Sequence, residues 1–599
     1  MGSNALINKG DGCVLSFAKG IGLIAVLAAT AQNGMAQTAV VDQKTIAEQK
    51  AIEVLRRQEE RTREQQLQLQ PKSDVLNPSV STKVSTDLPV ESPCFVIREI
   101  ALTGKGIGRF GWLQDAALPF LNRCIGVEGL RRIAAALDGK LIELGYATTR
   151  VSLPQQNLHN GTLELVLHVG RISEVRMVKA GDAKQAADDN WGTWRNAFPG
   201  IPSLGPGDIL NIRDLEQGVE QMKRLPSQAV ATRIEPGAEP DTSVVYIERQ
   251  SGSLGDRIRG GVTVDNSGSR TLGRSQLSAY LALDNPLGLN DILNLSGNSN
   301  LDQPDPNHRS QSASFNYSIP WGYNTFTISD SHNRFAQVVQ GTTVNFLSSG
   351  TSDTAEFKWH RTFIRTASAK FGLYAGVATR HADSFLDDVE LIVQRRRTTR
   401  LEAGATYKKL IGQGDLDIDL GYQRGMPWFG AQDDFPQADG IVKLTNRPQI
   451  WTLNASYNQP FALGKQAFQY TGSIHAQATN DVLLSVDQIS IGNRYSVRGF
   501  DGDSVLLAES GFYFRNDLSM PASLVPGLDT QIYLGLDAGR VWGASEAQLI
   551  GSKLAGAAIG MRGRWKSLQI DASLGTPLYK PEGFKTQRWS PYVSLTYAF

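Results

Sequence analysis

The sequence of 599 residues has no apolar run long enough for a membrane-spanning helix, which argues against a helical membrane protein. The apolar run nearest the start, Ile21 to Ala31, is too short to cross a bilayer, and small residues follow it. A short apolar run of this kind behind two lysines is typical of a secretory signal peptide. Cleavage after Ala31 or after Ala36 fits the pattern, and we favour Ala36, so the signal peptide is predicted to cover residues 1–36.

An excess of charge of one sign is also missing, because 60 basic and 59 acidic residues leave a net charge of +1. This balance gives no reason to expect a nucleic-acid partner. The seven histidines show no metal-ligand spacing, and neither a phosphate-binding loop nor a nucleophile elbow is present. Gly104 to Gly108 is glycine-rich, but its spacing predicts a turn. We therefore predict that the chain is not an enzyme, with no catalytic residues, no cofactor and no metal.

Cysteine is scarce, with three residues in the whole chain. Cys13 lies in the predicted signal peptide, which leaves Cys94 and Cys124 as an even pair in an exported protein. Export places the pair in an oxidising compartment, so we predict a disulfide between them. Such a bond is worth about 3–4 kcal/mol on the loop-entropy estimate. Two buried free thiols are the alternative.

Residues 37–70 are rich in Gln, Glu and Arg, and Arg56 to Gln66 is polar on every side. A helix with this pattern cannot lie in an apolar core, so it either lies in water or fills a watery cavity. Four prolines then interrupt a polar stretch, and residues 71–92 are predicted to be an extended linker.

The next 160 residues or so repeat one strand–helix–strand order twice, which predicts two small α+β units over residues 93–171 and 172–252. The predicted elements of the first unit are a strand over Phe95–Leu102, a helix over Gly129–Leu144 and a strand over Thr162–Val169. Those of the second are a strand over Ile172–Val178, a helix over Leu210–Leu225 and a strand over Val244–Ile247.

Residues 253–599 alternate between apolar and polar side chains with a period of two, as Asp415 to Tyr422 does without a fault. The closing segment puts Val593, Leu595, Tyr597 and Phe599 on one face. An open apolar edge strand would pair with other chains, whereas a barrel closed in lipid has no open edge. At roughly 20 residues for each strand and turn, we predict a transmembrane antiparallel β-barrel of about 16 strands. A large soluble array of β-sandwiches is the alternative.

Two of the predicted strands, at about 467–477 and 509–518, are separated by roughly 30 residues, and a loop of this length is usually functional or disordered. It carries Arg494 and Arg498. A charged loop that folds into a watery lumen needs partners on inward-facing strand positions. Counting with a period of two makes Asp537 and Asp571 such positions, because the apolar residues beside them must face lipid.

Short motifs follow one another in a fixed order along the chain, and they are Cys94–Ile97, Cys124, Gly145–Val151, Leu153–Leu158, Leu210–Gly218, Lys223–Ser227, Asp284–Gly288, Ser496–Phe500 and Gly535–Gly539. Together they resemble the outer-membrane transporters of two-partner secretion, which export haemolysins and filamentous adhesins. The resemblance covers nearly all of the chain after the signal peptide. It identifies the two α+β units with the POTRA domains of that family.

The resemblance implies a location in the outer membrane of a Gram-negative bacterium, with the POTRA domains in the periplasm. It also implies that helix 37–70 plugs the pore, the alternative being an exposed periplasmic helix. The loop motif Val497, Arg498, Gly499 and Phe500 would gate the lumen. Arg498 would pair with Asp537 on the barrel wall, unless both are solvated lumen charges. Phe599 resembles the terminal residue by which the barrel-assembly machinery recognises such barrels.

The function that the resemblance implies is secretion, with or without activation, of a large haemolysin-like or adhesin-like exoprotein. The POTRA domains would capture this partner unfolded, and the barrel would pass it through the lipid bilayer without ATP. One rival is a factor of the same superfamily that assembles other barrels. The plug helix and the presence of only two POTRA-like units argue against it. The other rival is a gated nutrient porin, which the region 94–250 does not fit.

Overall fold

The computed structural model describes residues 58, 76, 87–179, 182–186, 199–201, 203–251, 253, 255–268, 273–302, 305–340, 345–435, 444–522 and 527–599. The predicted signal peptide, helix 37–70 apart from Gln58, and most of the linker 71–92 lie outside these residues. No helix in the described ranges is long and apolar enough to cross a membrane.

The first α+β unit packs two helices against short strands around a core that includes Phe110, Phe120, Ile133 and Leu163. Its sheet has the order β2-β5-β4, and β1 pairs with β3 in a separate small sheet. The elements are β1 (Phe95–Ile97), β2 (Glu99–Thr103), α1 (Trp112–Ala117), β3 (Arg123–Ile125), α2 (Val127–Glu143), β4 (Arg150–Ser152) and β5 (Thr162–His168).

A disulfide joins Cys94 and Cys124, whose Cα atoms are 5.2 Å apart. The bond lies beside the β1–β3 pairing, in which Val96 faces Cys124. The prediction of one strand over Phe95–Leu102 is wrong, because the strand divides at Arg98. There the backbone N–H groups of Arg98 and Glu99 both donate to the carbonyl of Gly161, and the chain turns from one sheet into the other.

The second unit repeats the parallel strand pairing of the first and adds two edge strands that the sequence did not indicate. Its sheet has the order β7-β6-β9-β8, with β6 and β9 parallel. Asn211 caps its helix by accepting a hydrogen bond from the backbone N–H of Arg213. The elements are β6 (Arg171–Lys179), β7 (Asp182–Ala186), α3 (Ile212–Lys223), β8 (Gln228–Pro236) and β9 (Thr242–Ser251).

Sixteen of the remaining described strands form the wall of a closed antiparallel barrel, as the sequence predicts. The two-residue strand β17 extends one edge of β16 beyond the wall. The strands are β10 (Ile258–Asp265), β11 (Gln276–Asp284), β12 (Ile292–Asn300), β13 (Arg309–Trp321), β14 (Asn324–Gln340), β15 (Asn345–Arg365), β16 (Ala369–Leu386), β17 (Val389–Glu390), β18 (Arg396–Ile411), β19 (Gly414–Met426), β20 (Gln449–Leu463), β21 (Gln466–Ala478), β24 (Ser510–Pro521), β25 (Asp529–Trp542), β26 (Lys553–Trp565), β27 (Leu568–Tyr579) and β28 (Ser590–Ala598). The loop between β21 and β24 contains β22 (Ile489–Ile491) and β23 (Leu506–Ala508).

The two faces of the barrel wall differ in the way that a lipid-facing outside requires. On β25, Leu534 and Leu536 are 47% and 49% exposed, whereas the alternating residues Tyr533 and Asp537 are 3% and 4% exposed. Apolar side chains that remain exposed in neat alternation match a hydrocarbon environment. The predicted inward direction of Asp537 is therefore confirmed.

The barrel closes where β28 pairs with β10, over five residue pairs from Gly261–Ala598 to Asp265–Ser594. Beyond them, the backbone N–H groups of Gly260 and Phe599 each donate to the other's carbonyl at 2.9 Å. Thr263 and Thr596 face each other in this seam, with their hydroxyl oxygens 2.8 Å apart.

Helix α3 of the second unit fits directly under the barrel turns that join β13 to β14 and β15 to β16. Arg365, whose side chain is 1% exposed, donates to Gln217 Oε1 at 2.9 Å and to Glu220 Oε2 at 2.8 Å. Lys370 donates to the other oxygen of Glu220 at 2.8 Å. The carbonyl of Gly322 in the β13–β14 turn accepts from Gln217 Nε2 at 3.3 Å. These bonds attach the second unit to one end of the barrel.

Candidate functional site

The loop of residues 479–509 does not project away from the barrel but folds into its lumen. The hairpin of β22 and β23 gives the loop a regular frame. A small apolar core forms between the hairpin and the wall, and it contains Ile489, Ile491, Val497, Phe500, Leu506, Ala508, Val541, Leu554 and Phe584. A loop with its own apolar core against the wall has one defined position, so its charged side chains are aimed at fixed partners.

Val497 and Phe500 of the predicted motif are the apolar anchors of this core. Their side chains are 0% and 3% exposed. The ring of Phe500 meets the ring of Phe584 edge-on, with centroids 5.6 Å apart. Phe584 comes from the loop between β27 and β28, so the motif joins two loops at the same end of the barrel.

Arg498, between these anchors, points at the wall of the lumen. Its Nε lies 2.7 Å from Asp537 Oδ2, and its Nη2 lies 2.7 Å from Asp537 Oδ1. The backbone N–H of Arg498 also donates to Asp537 Oδ2 at 2.9 Å. The two side chains are 9% and 1% exposed. A forked guanidinium–carboxylate pair of this kind is strong and directional.

A second carboxylate, which the sequence reasoning missed, completes the arginine site. Asp517 on β24 places Oδ1 2.6 Å from Arg498 Nη1. Arg562 on β26 contacts the other oxygen of Asp517 at 3.1 Å. Asp571 faces inward as predicted, and Arg562 Nε lies 3.5 Å from its Oδ2. The same period-two counting, applied to the strand predicted at 509–518, would have found Asp517.

Glycines make room for the loop to lie against the bare backbone of the wall. A methyl group on Gly556 would lie 1.8 Å from the carbonyl oxygen of Arg498, and one on Gly575 would lie 2.9 Å from Gly499 Cα. Gly499 itself has φ of +102°, and a methyl group there would lie 2.4 Å from the carbonyl oxygen of Thr576. The Gly after Arg498 is therefore required by both its conformation and the closeness of the wall.

Arg494 lies on the same loop and faces the seam of the barrel. Its guanidinium is stacked on the ring of Tyr592 in β28, 3.0 Å from the ring centroid. The ring of Tyr495 lies 5.0 Å from it. This cation–π contact adds a third attachment point between the loop and the wall.

Gln58, the residue of the predicted helix 37–70 that the structure describes, is helical and 4% exposed. Its Nε2 donates to Ser310 Oγ and to the carbonyl oxygen of Arg334, both at 2.9 Å. Ser310 and Arg334 belong to the neighbouring wall strands β13 and β14. The side chain of Gln58 is thus bonded to the barrel wall.

The architecture and the loop site can be compared with known proteins. The family model of the haemolysin secretion/activation protein ShlB/FhaC/HecB matches residues 241–563. The chain belongs to this family. The model of the ShlB-type POTRA domain matches residues 95–170, and a second POTRA model matches residues 171–236. The two α+β units are therefore POTRA domains 1 and 2.

Relatives of the family agree over most of their length. Outer membrane transporter CdiB-2 of Burkholderia pseudomallei is 37% identical over 531 residues, which cover 86% of this chain and 88% of the relative. Hemolysin transporter protein ShlB of Serratia marcescens is 27% identical and covers 76% of this chain and 77% of the relative. The solved structure of CdiB from Escherichia coli superposes with a TM-score of 0.76 at 27% identity, over 92% of this chain and 98% of that chain.

These matches make the chain an outer-membrane transporter of the two-partner secretion family, with its POTRA domains in the periplasm. The members of this family are transporters. Because the turns that touch POTRA domain 2 are periplasmic, the loop of residues 479–509 enters the lumen from the extracellular end.

Proposed function

We propose that this transporter secretes one large partner exoprotein through its own lumen, and that the loop of residues 479–509 closes the lumen between transport events. The observation that carries the proposal is the fixed position of Arg498, held by Asp537 and Asp517 inside the closed barrel. A barrel of 16 strands encloses a lumen wider than its wall side chains can fill. A resting transporter therefore needs a closing element, and this loop is well placed to act as one.

The N-terminal helix over residues 37–70 is proposed as a second closing element. Its polar surface suits a water-filled lumen better than an apolar core. The bonds from Gln58 to Ser310 and Arg334 support the proposal.

The partner is proposed to reach the barrel unfolded, bound to the POTRA domains. The strands at the edges of the two sheets are β2 and β4 in the first domain and β7 and β8 in the second. An extended segment that adds to such an edge gains backbone hydrogen bonds and needs little sequence identity. Folding of the exoprotein outside the cell then prevents its return, so export proceeds without ATP. Phe599 is proposed to be read by the barrel-assembly machinery.

Charge reversal at Asp537 tests the loop as a gate. D537R removes the carboxylate that Arg498 grips, and breaking a buried pair costs about 3–5 kcal/mol, less in a hydrated lumen. We expect the part of the loop around Arg498 to leave the wall and the conductance of the purified channel to rise. Secretion of the exoprotein into the medium should fall by about tenfold or more, since each 1.4 kcal/mol is worth a factor of about ten.

The matched control is D417R, which reverses an acidic residue of β19 that pairs with Lys408 and does not touch the loop. Heat-modifiable migration in gels shows whether either barrel is assembled. An assembled D537R barrel with normal conductance and normal secretion would disprove the gate.

A further inference from the structure

The first part of the same loop carries a buried carboxylate with partners far from those of Arg498. Asp487 ends a short turn of 3-10 helix at Ser485–Asp487, and its side chain is 6% exposed. It forms an ion pair with Arg400 Nη2, and Arg380 Nη1 lies 3.7 Å from the same oxygen. A carboxylate buried this deeply requires cationic or hydrogen-bonding partners, so these arginines fix where the turn can lie.

The two arginines lie on the neighbouring wall strands β16 and β18, where Arg380 pairs with Thr398 and Arg400 pairs with Ala378. Arg396 lies on the same face of β18 as Arg400, four residues nearer the extracellular end, and it also interacts electrostatically with Asp487. Two arginines from two neighbouring strands thus contact one acidic residue of the loop, and a third arginine lies within electrostatic range of it. The arrangement is the reverse of the other attachment, where two wall carboxylates surround one arginine of the loop.

The order of the strands places the contacts of Asp487 and those of Arg498 on opposite sides of β21, the strand from which the loop departs. The loop leaves the wall at β21, and β19 and β20 separate β21 from β18. Arg498 binds β24 and β25, on the other side of the point of departure. The backbone carbonyl of Asp487 accepts a hydrogen bond from Gln477 Nε2 on β21 at 2.8 Å, which holds the start of the loop between the two attachments. The loop is therefore fastened to the wall on both sides.

We propose that Asp487 is a second latch of the loop, a positioning residue that keeps the lumen closed by binding Arg380 and Arg400. The inference rests on the proposed role of the loop as a gate. With two latches on opposite sides, release of one frees only half of the loop, and full opening requires both. Loss of either latch alone raises the fraction of open channels, and loss of both raises it further.

The experiment records single channels of the purified full-length chain in planar lipid bilayers and measures their conductance and open probability. Secretion is measured in parallel. D487N removes the charge and keeps the shape, and D487R turns attraction into repulsion. The exchange variant D487R/R400D leaves the numbers of positive and negative charges in the cluster unchanged. D433N, at an exposed acidic residue in the neighbouring extracellular loop, is the control. We expect open probability to rise by about tenfold in D487N, further in D487R, and to return toward the original value in the exchange variant.

The outcomes separate the latch from the gate. If D487N and D487R conduct like the unchanged chain while D537R opens the channel, the second latch is wrong and the gate stands. If D537R also leaves the channel closed, the proposal that the loop is a gate is wrong. If the exchange variant assembles but does not restore closure, Asp487 does not act through its charge, and the latch is overturned. Should D487R fail to assemble, D487N and the exchange variant still decide the question, because rescue by exchange is not expected of a residue needed only for folding.

Discussion

At the scale of single residues, the position of the loop inside the lumen depends on a few charges and on the absence of side chains beneath them. Arg498 reaches Asp537 only because Gly535, which pairs with Asp517 and lies two residues before Asp537 on β25, leaves space for its guanidinium, which lies 2.6 Å from where a methyl group would be. Gly556 and Gly575 do the same for the backbone of Arg498 and Gly499. Removing charge and adding volume are therefore two independent ways of displacing the loop.

Adding a methyl group at Gly556 tests the second way. G556A would place an atom 1.8 Å from the carbonyl oxygen of Arg498, so either the loop or the strand must move. Overpacking of this kind costs about 1–3 kcal/mol. We expect higher channel conductance and reduced secretion with an assembled barrel. G297A is the control, because a methyl group at that strand position would meet its nearest atom at 3.5 Å. Equal conductance of the two variants would show that the loop does not rest on this wall.

At the scale of secondary-structure elements, the N-terminus of helix α2 in POTRA domain 1 is capped by a residue that lies far outside the helix in the sequence. Glu91 accepts hydrogen bonds from the backbone N–H groups of Gly126, Glu128 and Gly129 at 3.1, 2.8 and 2.8 Å. An anion at a helix N-terminus is favourable. Burial acts to raise the pKa of Glu91, but these N–H donors and Arg132 outweigh it, and the pKa lies below its ordinary value.

The lowered pKa of Glu91 predicts a pH-dependent cap. Because the folded-state pKa is depressed, the stabilisation is present above the unfolded pKa of about 4.3 and is lost as the pH falls through the folded value. E91Q should speed hydrogen exchange of residues 127–143 at pH 7 relative to the unchanged chain. The difference should shrink as the pH falls below the unfolded pKa of about 4.3 and through the lower folded-state pKa, because the unchanged carboxylate then becomes neutral as well. E143Q, at the other end of α2, should leave the exchange rate nearly unchanged, and a difference for E91Q that persists at low pH would contradict the prediction.

At the scale of the whole molecule, the seam between β10 and β28 distinguishes export through the lumen from assembly of other barrels. A factor that inserts barrels into lipid needs an opening in its wall, and a transporter that uses its lumen does not. The seam has five residue pairs and the mutual backbone bonds of Gly260 and Phe599 beyond them, whereas β10 and β11 form eight residue pairs. It is therefore the place where such an opening would form.

Locking the seam tests the route of transport. Thr263 and Thr596 face each other with hydroxyl oxygens 2.8 Å apart, so T263C/T596C brings two thiols together. We expect the cross-linked transporter to secrete at close to the normal rate, because its lumen is unchanged. T263C alone is the control, and migration with and without reductant reports the cross-link. Secretion that stops on cross-linking and returns on reduction would assign transport to the seam.

The sequence predicts the barrel and the two α+β units because each leaves a local, periodic signal, whereas the POTRA identity and the Arg498–Asp537 pairing follow from the family resemblance. Strand alternation shows which residues face the lumen and leaves Asp537 and Asp571 as candidates, and the resemblance selects Asp537. The features that strand alternation did not reveal depend on contacts between segments that are distant in the sequence. The division of Phe95–Leu102 comes from bonding to Gly161, and the pairing of Asp487 with Arg400 comes from how the loop crosses the lumen. Neither relation leaves a periodic pattern that can be read along the chain.

The bonds of Arg365 and Lys370 to helix α3 have a consequence for the length of the cargo in transit. They fix POTRA domain 2 against the periplasmic turns, so the path from its edge strands to the mouth of the barrel does not stretch or shorten. An extended polypeptide covers about 3.4 Å with each residue. A partner that is bound at an edge strand while it enters the barrel must therefore span this gap with a constant number of residues. The transporter thereby sets the length of the segment between the bound site and the part that enters first.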